Sequence, residues 1–323
     1  EVFYLEPVFA QADTWTRKTA MPSRRLALGA CTLKNKVYAV GGYDWPLGFD
    51  RERPGTIVTE EYDPATDTWR TVAPMSTGRR WFSAIASGGR CFAIGGQKDL
   101  DQPGIPGVEE YNPATDSWRR RAEMPAARMG HASAALDGKI YVMGGTSSPD
   151  AAASGTLFVY DVAQNTWTRK ADMPRARVLL TAAAVDGLIY AFGGGRTYAG
   201  APSAEVQRYN PADDTWKLVG NMPQPRSEHS AAEAGGRIYI MGGREVKACT
   251  PGDDCIDPPA LSSLEEFDPQ TGNWTTRARM LGGRTGQASS SAGGKIYAVG
   301  GSRSISYGRG GNAALEEYTP PAR

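Results

Sequence analysis

Three columns of residues keep one register through the whole chain, and together they leave few folds open. Gly-Gly pairs fall at Gly41-Gly42, Gly95-Gly96, Gly144-Gly145, Gly193-Gly194, Gly242-Gly243 and Gly300-Gly301, with spacings of 54, 49, 49, 49 and 58. Trp15, Trp69, Trp118, Trp167, Trp216 and Trp274 repeat those spacings, and so do Arg25, Arg79, Arg128, Arg177, Arg226 and Arg284. Six units of about 50 residues that share a period define a repeat architecture. Within a unit the residues describe four strands. A run of small and apolar residues, such as His131 to Leu136, is followed by a two-residue turn of the Asp137-Gly138 kind. Such pairs suit hairpin turns that need positive φ. The second strand ends at the double glycine. The third ends in Tyr-Asp-Pro or a variant such as Glu110-Tyr111-Asn112-Pro113, where proline cannot donate to a ladder. Tryptophan opens the fourth strand, which runs out at Met-Pro.

These residues resemble the Kelch repeat: Gly-Gly closing an apolar strand, Tyr-Asp-Pro, Trp, then Met-Pro-x-x-Arg, six times over essentially all of residues 1–323. The resemblance implies an all-β, six-bladed propeller with four antiparallel strands per blade, in one domain. The first unit supplies only a fourth strand, around Thr14 to Thr19, and the last stops after its third, around Leu315 to Tyr318. The N-terminal strand is therefore expected to complete the final blade and remove an open edge.

In such a meander the long connections share one face, at residues 43–58, 97–107, 146–155, 195–204, 244–263 and 302–313. Variable loops on a rigid scaffold are the usual place for recognition. The six repeated arginines map to that mouth, and Arg80 together with Arg51, Arg53, Arg196, Arg244, Arg303 and Arg309 are candidates to join them. Guanidinium groups suit carboxylates, and Kelch domains of this appearance bind acidic peptides with such arginines. The competing expectation is that a residue recurring in every blade pairs with the blade's own acids and carbonyls. Two places after each arginine the residues differ: Ala27, Trp81, Gly130, Leu179, Glu228 and Gly286. Strand alternation puts them on the arginine side, so Trp81 and Glu228 are individual features on a repeated frame. Trp45, Tyr43, Phe49, Tyr198 and Tyr307 lie in the mouth loops.

The function expected from these residues is non-catalytic recognition of an acidic peptide, protein or polar small molecule by a monomer. The candidate ligand-binding residues are Arg25, Arg79, Trp81, Arg128, Arg177, Arg226, Glu228 and Arg284. A net charge of +1 gives no electrostatic footprint for nucleic acid. No apolar run approaches the ~20 residues that span a bilayer. No cofactor or metal is expected. His131 and His229, the two histidines, sit two blades apart, and neither the copper-radical pattern nor the iron-binding pattern of Kelch specifier proteins can be mapped. An enzymatic alternative rests on resemblance to sialic-acid mutarotases, which are also six-bladed Kelch rings; Glu228 with Arg226 is the pair nominated for it. A third reading is the substrate-receptor domain of a larger intracellular adaptor.

The four cysteines divide. Cys31 and Cys91 replace apolar residues of strand columns and are expected as buried hydrophobes. Cys249 and Cys255 flank a turn-rich stretch of the longest loop and are expected to form a disulfide, which favours an extracellular or periplasmic location with the cytoplasm left open. Asp253, Asp254 and Asp257 nearby lack a full calcium pattern.

Overall fold

The computed structural model describes residues 12–44, 54–245, 259–303 and 311–322. Six four-stranded antiparallel sheets account for the strands there. The first blade runs Gly29–Leu33, Lys36–Val40, Thr59–Asp63 and Thr68–Val72 from the axis outward. The next four repeat that order, with innermost strands Ser83–Ser87, Ala132–Leu136, Thr181–Val185 and Ser230–Ala234. The sixth is composite: Ala288–Ala292, Lys295–Val299 and Leu315–Thr319 are completed by Thr14–Lys18, which pairs antiparallel with Leu315–Thr319. The N-terminal strand thus closes the ring, as the partial end units require.

The turn chemistry follows the sequence. Lys34 and Asn35 (φ 50° and 62°) and Asp137 with Gly138 (φ 49° and 71°) carry the two consecutive positive φ values of a type I′ hairpin, whose twist matches that of its strands. Apolar faces of adjacent blades pack into interblade cores; Tyr38 and Val40 of the first blade meet Cys91, Ala93 and Tyr111 of the second. One four-stranded sheet exposes two apolar faces, so each blade needs a neighbour on both sides.

A repeated clamp joins the outer strands. In five blades the tryptophan indole leans on a third-strand tyrosine, with centroids 4.9–5.2 Å apart; in four of them the tyrosine precedes it by seven residues, and in the composite blade Trp15 leans on Tyr318. The tyrosine hydroxyl donates to an acid or amide two places before the tryptophan: Asp13, Asp67, Asp116, Asn165 or Asp214, at 2.7–2.8 Å. The same side-chain oxygen accepts the backbone N–H of one residue in the preceding blade, and the indole donates to that residue's carbonyl. Ala73, for example, donates to Asp116 at 2.9 Å and accepts from Trp118 at 2.9 Å.

The expectation for Cys31 and Cys91 is corrected in part. Both are buried, but they are bonded to each other across the first and second blades. Cys249 and Cys255 lie outside the described residues, as do Asp253, Asp254 and Asp257.

Candidate functional site

The six repeated arginines do not line the mouth as free donors. They are 0–4% exposed and turn into their own blades. Arg25 donates to the carbonyls of Gly41 and Val58 at 2.8 and 3.0 Å and to Glu60. Arg79 donates likewise to Gly95, Gly107 and Glu109. Arg128 reaches Gly144 and Thr156, Arg226 reaches Gly242 and Ser263, and Arg284 reaches Gly300 and Glu316. Arg177 departs slightly, bonding Ala176, Ser203 and Glu205. Burial pulls Arg128 and Arg226 down to about 10, which leaves both charged at neutral pH. Apart from Arg177, each guanidinium ties the first glycine of the double glycine to the start of the third strand. The recurrence of the arginine reflects this frame, and the ligand-facing expectation for the ring of arginines is corrected accordingly.

The alternation argument fails for a local reason. Ala27, Trp81, Gly130, Leu179, Glu228 and Gly286 all have φ between 49° and 60°. A left-handed residue ends the extended run, so the two-residue period no longer predicts direction. These six residues instead form a closed ring. The N–H of Trp81 donates to Ala27, Gly130 to Trp81, Leu179 to Gly130, Glu228 to Leu179, Gly286 to Glu228 and Ala27 to Gly286, at 2.7–3.1 Å. Below the ring the first residues of the innermost strands enclose a channel cavity of about 160 Å³.

Around the ring stand the side chains that break the sixfold repetition. Trp81 packs with Leu26, Ala27 and Tyr43, and meets Tyr198 edge-on at 6.0 Å. Glu228 accepts from Arg244 Nε at 2.8 Å and from Thr285 Oγ1 at 2.9 Å. Its partner is therefore Arg244; Arg226, nominated beside it, points into the fifth blade. Arg244 also donates to the carbonyl of Tyr198. Arg80 is 1% exposed, although the same column holds Leu26, Met129, Val178, Ser227 and Thr285 in the other blades. Its guanidinium lies 4.5 Å over the Tyr43 ring and its Nε donates to Gln97, while Nη1 is buried without a partner. Burial first, then the charge of Glu228, pushes the Tyr198 phenol well above its ordinary value, despite Arg80 and Arg244 nearby. Trp45, Phe49, Arg51, Arg53, Tyr307 and Arg309 lie outside the described residues.

His131 and His229 sit between blades, their Nε2 atoms 3.3 Å from Ser83 Oγ and 3.1 Å from Thr181 Oγ1. Burial pulls both down to about 3, with Arg128 and Arg226 adding to the effect, so both are neutral. Among the described residues, no group of three or more His, Cys, Asp or Glu is placed to hold a metal ion. No helix there is long and apolar enough to cross a membrane.

A six-bladed ring with composite closure and a loop-bearing mouth defines a Kelch-type propeller. The KLHDC2/KLHL20/DRC7 Kelch-repeats domain matches residues 130–310, and the Kelch motif matches residues 24–76 and 79–125. The chain belongs to the Kelch-repeat family. It is 29% identical over 88 residues to Kelch repeat and BTB domain-containing protein 12 of Homo sapiens, covering 27% of this chain and 14% of that protein. It is 30% identical over 95 residues to Kelch-like protein 36 of Bos taurus, covering 29% and 15%. These matched segments span about one seventh of the relatives' length. The solved structure of YjhT superposes with a TM-score of 0.75 at 15% identity, covering 92% of this chain and 95% of that one, a likeness of fold.

Proposed function

We propose that this propeller is a non-catalytic recognition module whose mouth receives an acidic or polar ligand, either a peptide or protein segment or a small molecule. One observation carries the reading. Tyr43, Arg80, Trp81, Tyr198, Glu228 and Arg244, each a departure from its repeat column, gather around one end of the channel. The Gly-Gly, Trp and Arg columns repeat through all six units, whereas these positions do not. In this reading the repeated arginines hold the loops, and Trp81, Glu228 and their neighbours meet the ligand. Arg80 favours an acidic group, because a buried guanidinium without a carboxylate is costly until an anion compensates it. Glu228, held by two donors, serves as a fixed acceptor. The Cys31–Cys91 bridge supports an oxidising compartment as the place of work.

Acidic peptides and small carboxylates screened by thermal shift test this. Hits are expected, and Arg80→Met or Trp81→Ala should weaken them by roughly tenfold or more, the scale of one charge-assisted contact or one aromatic anchor. Hits whose affinity neither substitution alters would place the site elsewhere.

A further inference from the structure

The rim of the sixth blade holds a second cluster, away from the ring. A cavity of about 210 Å³ is lined by Arg17 and Lys18 of the closing strand, Arg284 before the blade's first strand, Arg303 after its double glycine, and Glu316 on its third strand. We propose that this cavity is a binding site for a tetrahedral oxyanion, a phosphate or sulfate group, assembled where the two ends of the chain meet.

The charge balance is the first argument. Arg17 and Arg303 are exposed and have no acidic partner among the described residues. Lys18 lies 3.8 Å from Glu317. Glu316 is already engaged, accepting from Arg284 and from the Leu281 N–H at 3.1 Å. Three guanidinium groups therefore share one occupied carboxylate.

Arg284 is 1% exposed, and its Nε is buried with no hydrogen-bond partner among the described residues, as are those of Arg25, Arg128, Arg177 and Arg226. After burial itself and against the pull of Glu316, the charges of Arg303 and Arg17 both act to lower Arg284, which marks like charges crowded together. An arriving dianion reverses that repulsion, and guanidinium groups match its oxygens with paired donors.

The second blade supplies the control. Its rim has a cavity of the same size in which Arg120, Arg121, Lys98 and Glu109 take the places of Arg17, Lys18, Arg303 and Glu316. There Arg121 pairs with Glu110 at 3.2 Å, as Lys18 does with Glu317, and also with the Val162 carbonyl, but Glu123 brings a second acid to the lining. The sixth blade has Ala20 where the second has Glu123. Both rims carry four cations, and the sixth sets one acid against them where the second sets two.

The test is calorimetric titration of the intact protein with sodium phosphate against sodium chloride of matched ionic strength. Parallel arms with sodium sulfate and O-phosphoserine separate a free ion from an esterified group. Saturable phosphate binding is expected. Ala20→Glu, which copies the second blade at an exposed strand end, and Arg303→Gln should each weaken it by roughly tenfold or more. Absence of saturable binding above chloride, or unchanged affinity in both variants, overturns the proposal. Because neither residue is among the side chains gathered at the ring, the response to ligands held there should stay as in the wild type.

Discussion

The junction between the first and second blades and the junction between the fourth and fifth are built from the same sequence columns, but they are fastened very differently. At the first, Asp116 receives the Tyr111 hydroxyl and the Ala73 amide, Trp118 donates back to Ala73, and Cys31–Cys91 adds a covalent bond. At the second, Gly272 stands in the aspartate column, Phe267 has no hydroxyl, and Trp274 makes no such bond among the described residues. The reason reaches into the fourth blade. Its outer strand is lengthened to Thr215–Asn221, with a register shift at Val206/Gln207, and Gly220 (φ 138°) occupies the place of Ala73. A bulge increases local twist and displaces the backbone groups that a clamp would use. The ring therefore has one reinforced seam and one held by apolar packing.

Three measurements can break or sharpen this contrast. The largest effect is expected from removing the bridge. It closes a 60-residue separation, so Cys31→Ala with Cys91→Ala should cost ~4 kcal/mol in the chain-entropy estimate. The melting temperature should fall by several degrees; an unchanged value would show that the bridge adds nothing to the seam.

A smaller effect is expected from exchanging the clamps. Asp116→Ala should cost about 1–2 kcal/mol by leaving a hydroxyl and an amide without their acceptor. Phe267→Tyr with Gly272→Asp should gain up to about 1 kcal/mol, since aspartate already sits at φ 45–54° in three equivalent turns. Chemical denaturation of both variants decides this. A gain at the weak seam equal to the loss at the strong one would mean that the bulge is no obstacle.

The smallest effect is acid sensitivity. The Tyr62 hydroxyl and the Thr19 amide hold Asp67 below the usual carboxylate range. Burial pushes Asp214 upward, but the Ala171 amide and the Tyr209 hydroxyl prevail and lower it. A folded-state value below the unfolded one gives stability that is present above the ordinary carboxylate range and is lost as pH falls through the depressed value. Hydrogen-exchange protection at the sixth-to-first junction (Asp67) and the third-to-fourth junction (Asp214) should therefore drop as the pH falls below about 4. The fourth-to-fifth junction, with Gly272 in place of a carboxylate, should change least. Equal losses at all three would assign the acid effect elsewhere.

The blade number, the strand order and the composite closure were legible because Gly-Gly, Trp and Tyr-Asp-Pro are local marks repeated in register. The direction of the arginines was not, because it depends on acids such as Glu60 and Glu109 that lie 35 and 30 residues further along the chain, on the third strand of the blade. Trp81 and Glu228 stood out as individual residues, yet their direction follows from a left-handed backbone that a two-residue period cannot describe. The Cys31–Cys91 pairing needs the register between blades, which no within-blade pattern encodes. The clamp was within reach: an Asp or Asn precedes five of the six tryptophans by two positions, and the sixth place is Gly272.

The closed circuit of six peptide hydrogen bonds has an electrical consequence. Every donor points the same way around the axis, so the parts of the bond dipoles that run around the ring cancel one another. The six N–H groups of the collar are spent on one another, unlike the unpaired N–H groups of a helix terminus. Selectivity at that end must come entirely from the few side chains standing on the collar, and it can be rewritten by changing them without disturbing the hoop beneath.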